Sequence, residues 1–145
     1  MLVREMQRSD LQPVRYLAAQ LGYEVGLDEL GHFFRALADD PDDLLVVAVH
    51  NVGVVGWAHA HLTRLLYRPP FAEITGLIVD AAHRNLGAGR ALMQAVEAWA
   101  GRSQCAQVRI RTRTSRVHAH LVYERLGYAN EKTQYVFAKR LVRSD

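Results

Sequence analysis

The chain has 145 residues, half of them apolar and 23% charged, the balance of an ordinary globular domain long enough to bury a core. A net charge of +3, with no basic run interleaved with aromatics, argues against a nucleic-acid surface and suits a small polyanionic ligand. The lone cysteine, Cys105, excludes an internal disulfide and fits a reducing cytosol. The longest aliphatic run, residues 44–49, is too short to span a bilayer, so a cytoplasmic protein without membrane partners is expected.

Residues 2–6 read as a short strand, and Arg4 and Glu5 interrupt the apolar start, so no leader peptide is expected. Ser9 or Asp10 is placed to cap a helix with Leu11, Val14, Leu17, Ala18 and Leu21 on one face, ended by Gly22. Asp28 is placed to cap a second helix that turns Leu30, Phe33, Phe34 and Leu37 inward. The aspartates at 39, 40, 42 and 43 mark a solvated break. Residues 44–50 and 54–62 flank Asn51-Val52-Gly53 as a hairpin. His59 and His61 share one face of its second strand, but no Cys, Asp or Glu within a few positions completes a metal site, and no metal is expected. Residues 63–70 read as a loop with solvated Arg64 and Arg68, stiffened by Pro69-Pro70.

Residues 71–93, FAEITGLIVDAAHRNLGAGRALM, organise the chain. An apolar strand runs to Asp80, with Glu73 as its one charged member. Arg84-Asn85-Leu86-Gly87-Ala88-Gly89 then opens a helix over residues 87–101. Glycines at a helix start let backbone approach a ligand. The first amides have no partner inside the helix and lie at the positive end of its dipole, so the stretch reads as a phosphate seat with Arg84 beside it. No Lys-Ser or Lys-Thr follows, so it is not a Walker loop, and it lacks the spacing of a dinucleotide fingerprint. The pattern alone also fits a helix start that uses glycine for close packing. Residues 107–112 alternate as a half-exposed strand. Ser115 is placed to cap a helix through Leu126 that turns Ala119, Val122 and Leu126 inward and stops at Gly127, and residues 134–142 read as a last strand. The order is β, α, α, β, β, β, α, β, α, β. It implies one domain, residues 1–145, of α/β (α+β) class with a mixed, mostly antiparallel sheet and helices on both faces.

Strand, R-x-x-G-x-G loop and element order together resemble the GNAT superfamily of acetyl-CoA-dependent N-acetyltransferases. Ala119-x-x-x-Tyr123-x-x-x-Gly127-Tyr128 resembles its second motif. Arg116 stands where many members carry Asn, although a bacterial subset has Arg there with an Ala-His pair, as Ala119-His120 here. Phe71-Ala72-Glu73-Ile74 resembles the strand start of histone-type members, with the same eleven-residue spacing from Glu73 to Arg84. The resemblance implies acetyl-CoA as co-substrate. Leu77, Ile78 and Val79 would pair with its pantetheine arm. Arg84, Asn85, Gly87, Ala88, Gly89 and Arg90 would take the pyrophosphate, with Arg116 as a further coenzyme contact. It implies Glu73 as general base for the amine and Tyr123 as general acid for the departing thiolate, while a lone His120 reads as structural.

The implied reaction is direct acetyl transfer to a primary amine, on a small molecule or a protein, and the resemblance allows a homodimer. The alternative is a binding module that holds an acyl-CoA without turnover; a pure binder needs neither Glu73 nor Tyr123. The acceptor is expected between residues 21–34 and 63–70. Glu24, Asp28 and Glu29 form an acidic rim there that favours a cationic amine, unless they only solvate a loop and cap a helix.

Overall fold

The computed structural model describes residues 1–142 except Val52. These form two compact units, Met1–Arg111 and a second that begins at Thr112. The first contains β1 (Leu2–Glu5), α1 (Leu11–Gln20), α2 (Leu27–Ala38), β2 (Asp43–His50), β3 (Gly53–Leu65), β4 (Arg68–Val79), α3 (Ala88–Arg102) and β5 (Val108–Ile110). The second contains α4 (Val117–Arg125). The sheet order is β1-β2-β3-β4-β5, antiparallel through β4 and parallel between β4 and β5.

Side-chain alternation sorts the sheet into two faces. On one, Leu11 and Val14 of α1 and Leu30 and Phe34 of α2 pack with Val47 and Trp57, and Leu17 and Ala18 pack with Ile78. On the other, α3 brings its buried Leu92, Met93 and Val96 against β2, β3 and β4. The strands beneath it carry Ala48, Gly56, Ala58 and Ala60, small residues that let the helix come close. Gly56 is required: a Cβ there would lie 2.9 Å from the Ile78 carbonyl oxygen and 3.2 Å from Leu92 Cδ1.

Local details depart from the sequence reading. Asp10 does not cap α1; its buried carboxylate accepts two bonds from Arg4 (2.8 and 2.9 Å) and one from the Gln7 N–H. Gly26, not Asp28, precedes α2, and Asp28 and Glu29 complement the dipole from its first turn. Phe33 lies outside the Leu30 and Phe34 stripe and is exposed. The expected loop 63–70 is strand instead. β3 runs to Leu65 and β4 starts at Arg68, with only Leu66 and Tyr67 as a turn. Pro69 and Pro70 fall in a register irregularity between Thr63 and Leu65, where a missing N–H is tolerated. Arg64 pairs with Asp42 at 2.8 Å, and Arg68 stacks over Phe71 and donates to Gln107. The strand expected over residues 107–112 is confined to three residues. The expected strand over residues 134–142 is not formed: Tyr135, Val136 and Phe137 stand exposed, and β propensity without a ladder partner makes no strand.

Candidate functional site

The site is built on β4. β5 pairs with it only through Ala72, Glu73 and Ile74, opposite Val108, Arg109 and Ile110. Beyond Ile74, among the described residues, Gly76 to Val79 pair with β3 alone. The opposite backbone edge at Leu77, Ile78 and Val79 therefore has no strand beside it among the described residues. The opening begins at a β-bulge. Ala60 faces Ile74 and His59 faces Gly76, so Thr75 is an extra residue. The bulge places Glu73, Gly76 and Ile78 on the face that carries Trp57. Trp57 covers Gly76 so closely that a Cβ there would lie 2.8 Å from the indole ring.

The end of β4 is anchored by Asp80. Its carboxylate accepts from Gln20 Nε2 (3.0 Å), the His83 ring (2.9 Å) and the Ala82 N–H (3.2 Å), and these bonds hold it below the usual carboxylate range. The exposed loop that follows turns through positive φ at Asn85 (69°) and Gly87 (82°), the second of which caps α3. The Ala91 N–H donates to the Gly87 carbonyl as the first bond of the helix. The amides of Ala88, Gly89 and Arg90 precede it and are the unclaimed donors of a helix start. Gly87 needs its glycine for φ. Gly89 does not: its φ is ordinary, and a Cβ there would meet only Val79 Cγ2, at 3.7 Å. The protein's own packing leaves that space open, which fits a ligand phosphate.

Glu73 lies on the α1 and α2 side of the sheet, mostly buried, with Oε1 3.0 Å from Arg111 Nε. Its partner on β3 is His61, whose partner on β2 is Asp43. The Asp43 carboxylate is nearly fully buried and takes both histidines on one oxygen, His59 Nε2 at 2.7 Å and His61 Nδ1 at 3.1 Å. Burial pushes the Asp43 carboxyl up, but these bonds outweigh it and leave it below the usual range. Among the described residues no group of three His, Cys, Asp or Glu is arranged to hold a metal ion. The sequence reading placed Asp43 in a solvated break, whereas it opens β2 with its side chain buried, and it missed Arg111. Asp43 is sixteen residues from His59 along the chain, and only the hairpin register brings them together.

In the second unit, Arg116 precedes α4, and no side chain caps the helix, so Ser115 is not its cap. Ala119, Val122, Tyr123 and Leu126 are its half-buried stripe. Burial pushes the Tyr123 hydroxyl pKa up, against the opposing effect of the Arg116 cation, and keeps the proton on the oxygen. The His120 ring nitrogen Nε2 lies 2.9 Å from the Arg113 carbonyl, a structural bond. Gly127, at φ 91°, closes the helix: its N–H donates to Glu124 and the Tyr128 N–H to Tyr123. The first unit thus holds Glu73 and the glycine loop, and the second holds Tyr123 and Arg116. Glu24, Asp28 and Glu29 are exposed, and Asp28 shares a groove with Arg8, His32 and Arg35.

Residues 8–128 match the model of the acetyltransferase (GNAT) family. Solved structures share the fold over nearly their whole length. A candidate acetyltransferase from Agrobacterium tumefaciens is 25% identical (TM-score 0.85, 96% of this chain and 100% of the other). A transcriptional regulator from Bacillus halodurans is 21% identical (0.87, 95% and 99%). AAC(6')-Iy, bound to the bisubstrate analogue CoA-S-monomethyl-acetylneamine, is 19% identical (0.85, 97% and 98%). No curated protein sequence matches the chain. The family match covers the bulged strand, the glycine loop, α3 and α4 together, and the chain belongs to the GNAT acetyltransferase family.

Proposed function

We propose that this protein transfers the acetyl group of acetyl-CoA to a primary amine by direct attack within a ternary complex. The observation that carries the reading is the space left at Gly89, above the first amides of α3 and beside the unpaired edge of β4. In this reading the pantetheine arm pairs with the backbone of Leu77, Ile78 and Val79. The pyrophosphate takes the amides of Asn85, Gly87, Ala88, Gly89 and Arg90, and Arg84 and Arg116 supply charge. Glu73, positioned by its pair with Arg111, takes the amine proton, and Tyr123 protonates the departing thiolate. The transfer of acetyl is the coenzyme's chemistry; the chain binds, orients and moves protons. The exposed acids Glu24, Asp28 and Glu29 favour a cationic acceptor, and a cytoplasmic setting supplies acetyl-CoA. Among the described residues no helix is long and apolar enough to cross a membrane.

The neighbour described as a transcriptional regulator favours one second reading, an acyl-CoA-binding module without turnover. Coenzyme A release across a panel of primary amines separates the two. Amine-stimulated release that drops in Glu73→Gln and partly recovers at high pH supports the enzyme. Tight acetyl-CoA binding with no release for any amine supports the module.

A further inference from the structure

His61, Glu73 and Asp43 lie in one row across β3, β4 and β2, on one face of the sheet. Directly opposed side chains in an antiparallel pair have Cβ atoms about 4.5–5.5 Å apart, within reach of a hydrogen bond or one bridging water. The groups facing His61 are Asp43 on β2, His59 on its own strand and Glu73 on β4. Beyond Glu73 stand Arg111, paired to it, and Arg109, which stacks over Phe71. Asp43 is an ionised acceptor, so His61 donates Nδ1–H to it. That bond fixes the tautomer and presents Nε2 as the lone pair, as a buried carboxylate does for any base histidine. The Asp43 side chain is 3% exposed and that of His61 46%, so the row leads from a buried anion to a histidine in contact with water.

We propose that His61, oriented by Asp43, is the proton exit of this site: it takes the amine's proton on from Glu73 and delivers it to solvent. The proposal rests on the acetyltransfer reading above. In the first step an ammonium N–H proton moves to the Glu73 carboxylate and the amine keeps its electron pair for attack. In the second the carboxylic acid gives that proton to His61 Nε2, directly or through one water, and Glu73 is again ionised. The imidazolium is balanced by the Asp43 carboxylate and returns to neutral by losing the proton to bulk water. Asp43 is the positioning residue and His61 the relay; His59 meets the same Asp43 oxygen.

The test is the pH profile of kcat/KM for acetyl transfer to a primary amine, read as coenzyme A release, with acetyl-CoA affinity measured in parallel by calorimetry. His61→Gln should lower the rate at neutral pH by about tenfold to a hundredfold, the lower reach of general acid–base effects. It should leave acetyl-CoA affinity unchanged, recover at high pH, and respond to added imidazole. In Asp43→Asn the amide oxygen still accepts from Nδ1–H but the charge is gone. The imidazolium is then less stable, and the acid limb should move down by about one pH unit. A merely structural role for Asp43 would lower rate or stability without moving that limb. An active parent whose limb stays in place in Asp43→Asn, or a His61→Gln variant with the parent profile, overturns the relay alone. A parent that binds acetyl-CoA and acetylates no amine overturns the acetyltransfer reading and the relay with it.

Discussion

Gly89→Ala separates what the fold requires from what the ligand requires. The φ at Gly89 is one any residue adopts, and the added methyl would touch only Val79 Cγ2 at 3.7 Å, an ordinary van der Waals distance. Replacing a glycine by alanine at a compatible helical position stabilises by about 0.5–1 kcal/mol, mostly by restricting the unfolded chain. For a chain of 145 residues that is a rise in apo Tm of about 1.5–3.5 °C. The same methyl occupies the space assigned to the pyrophosphate. If it weakens acetyl-CoA tenfold, ligand at about a hundred times the parent Kd stabilises the parent by about 2.7 kcal/mol and the variant by about 1.4 kcal/mol. The variant should therefore melt higher without coenzyme and gain only about half the parent's shift with it. Thermal melts with and without acetyl-CoA, and calorimetric titration for affinity, read both halves. Parent affinity in the folded variant refutes the phosphate seat at Gly89. A lower apo Tm refutes the claim that the packing leaves the space open. Gly89→Val, with more bulk at the same point, should lose binding outright.

Tyr123→Phe should keep acetyl-CoA affinity and lose about tenfold to a thousandfold in kcat, since burial keeps the phenol protonated for a donor's role; full turnover at every pH would reduce Tyr123 to packing. Gly56→Ala should destabilise by about 1–3 kcal/mol in a denaturant titration, because its methyl meets the Ile78 carbonyl and Leu92 at once; a variant as stable as the parent would show that α3 retreats freely. Asp10 has its folded pKa held below the usual 3.8 by the bonds from Arg4 and the Gln7 N–H against burial. Its contribution to stability is therefore complete above that value and lost as the pH falls through the lower folded one. Asp10→Asn should flatten the fall in stability between about pH 5 and pH 2, and an unchanged acid profile would remove Asp10 from that account.

The backbone of the candidate site was legible where conformation is set locally in sequence. The glycine loop, the cap at Gly87 and the stop at Gly127 rest on backbone conformations that few residues adopt, and these leave a direct mark on the residue type. The apolar stripe of α1 followed from helical spacing alone. What stayed hidden depends on pairing between distant segments. Asp43 meets His59 and His61 only through the β2–β3 register, and Arg111 reaches Glu73 only because β5 lies beside β4. The prolines at 69 and 70 argued for a loop, and the long hairpin absorbed them at a register irregularity. Residues 134–142 show the converse: strand-forming residues without a partner strand remain exposed.

Thr75 makes β4 a strand with a phase change. From Glu73 to Ile78 is five residues, an odd step that in regular pleating lands on opposite faces, yet here both share one face. Deleting Thr75 would yield the tidier ladder and the worse protein. The even and odd positions of one half would exchange, and Glu73 would be turned toward α3 or Ile78 and Gly76 away from Trp57. A length change of one residue at this point is therefore a reversal of sidedness, far costlier than any single substitution nearby. In the acetyltransfer reading proposed above, the same phase change keeps two selections apart: positions before Thr75 would answer to proton chemistry, and those after it to the seat of the coenzyme, on a strand that a uniform pleat would have bound to one rule.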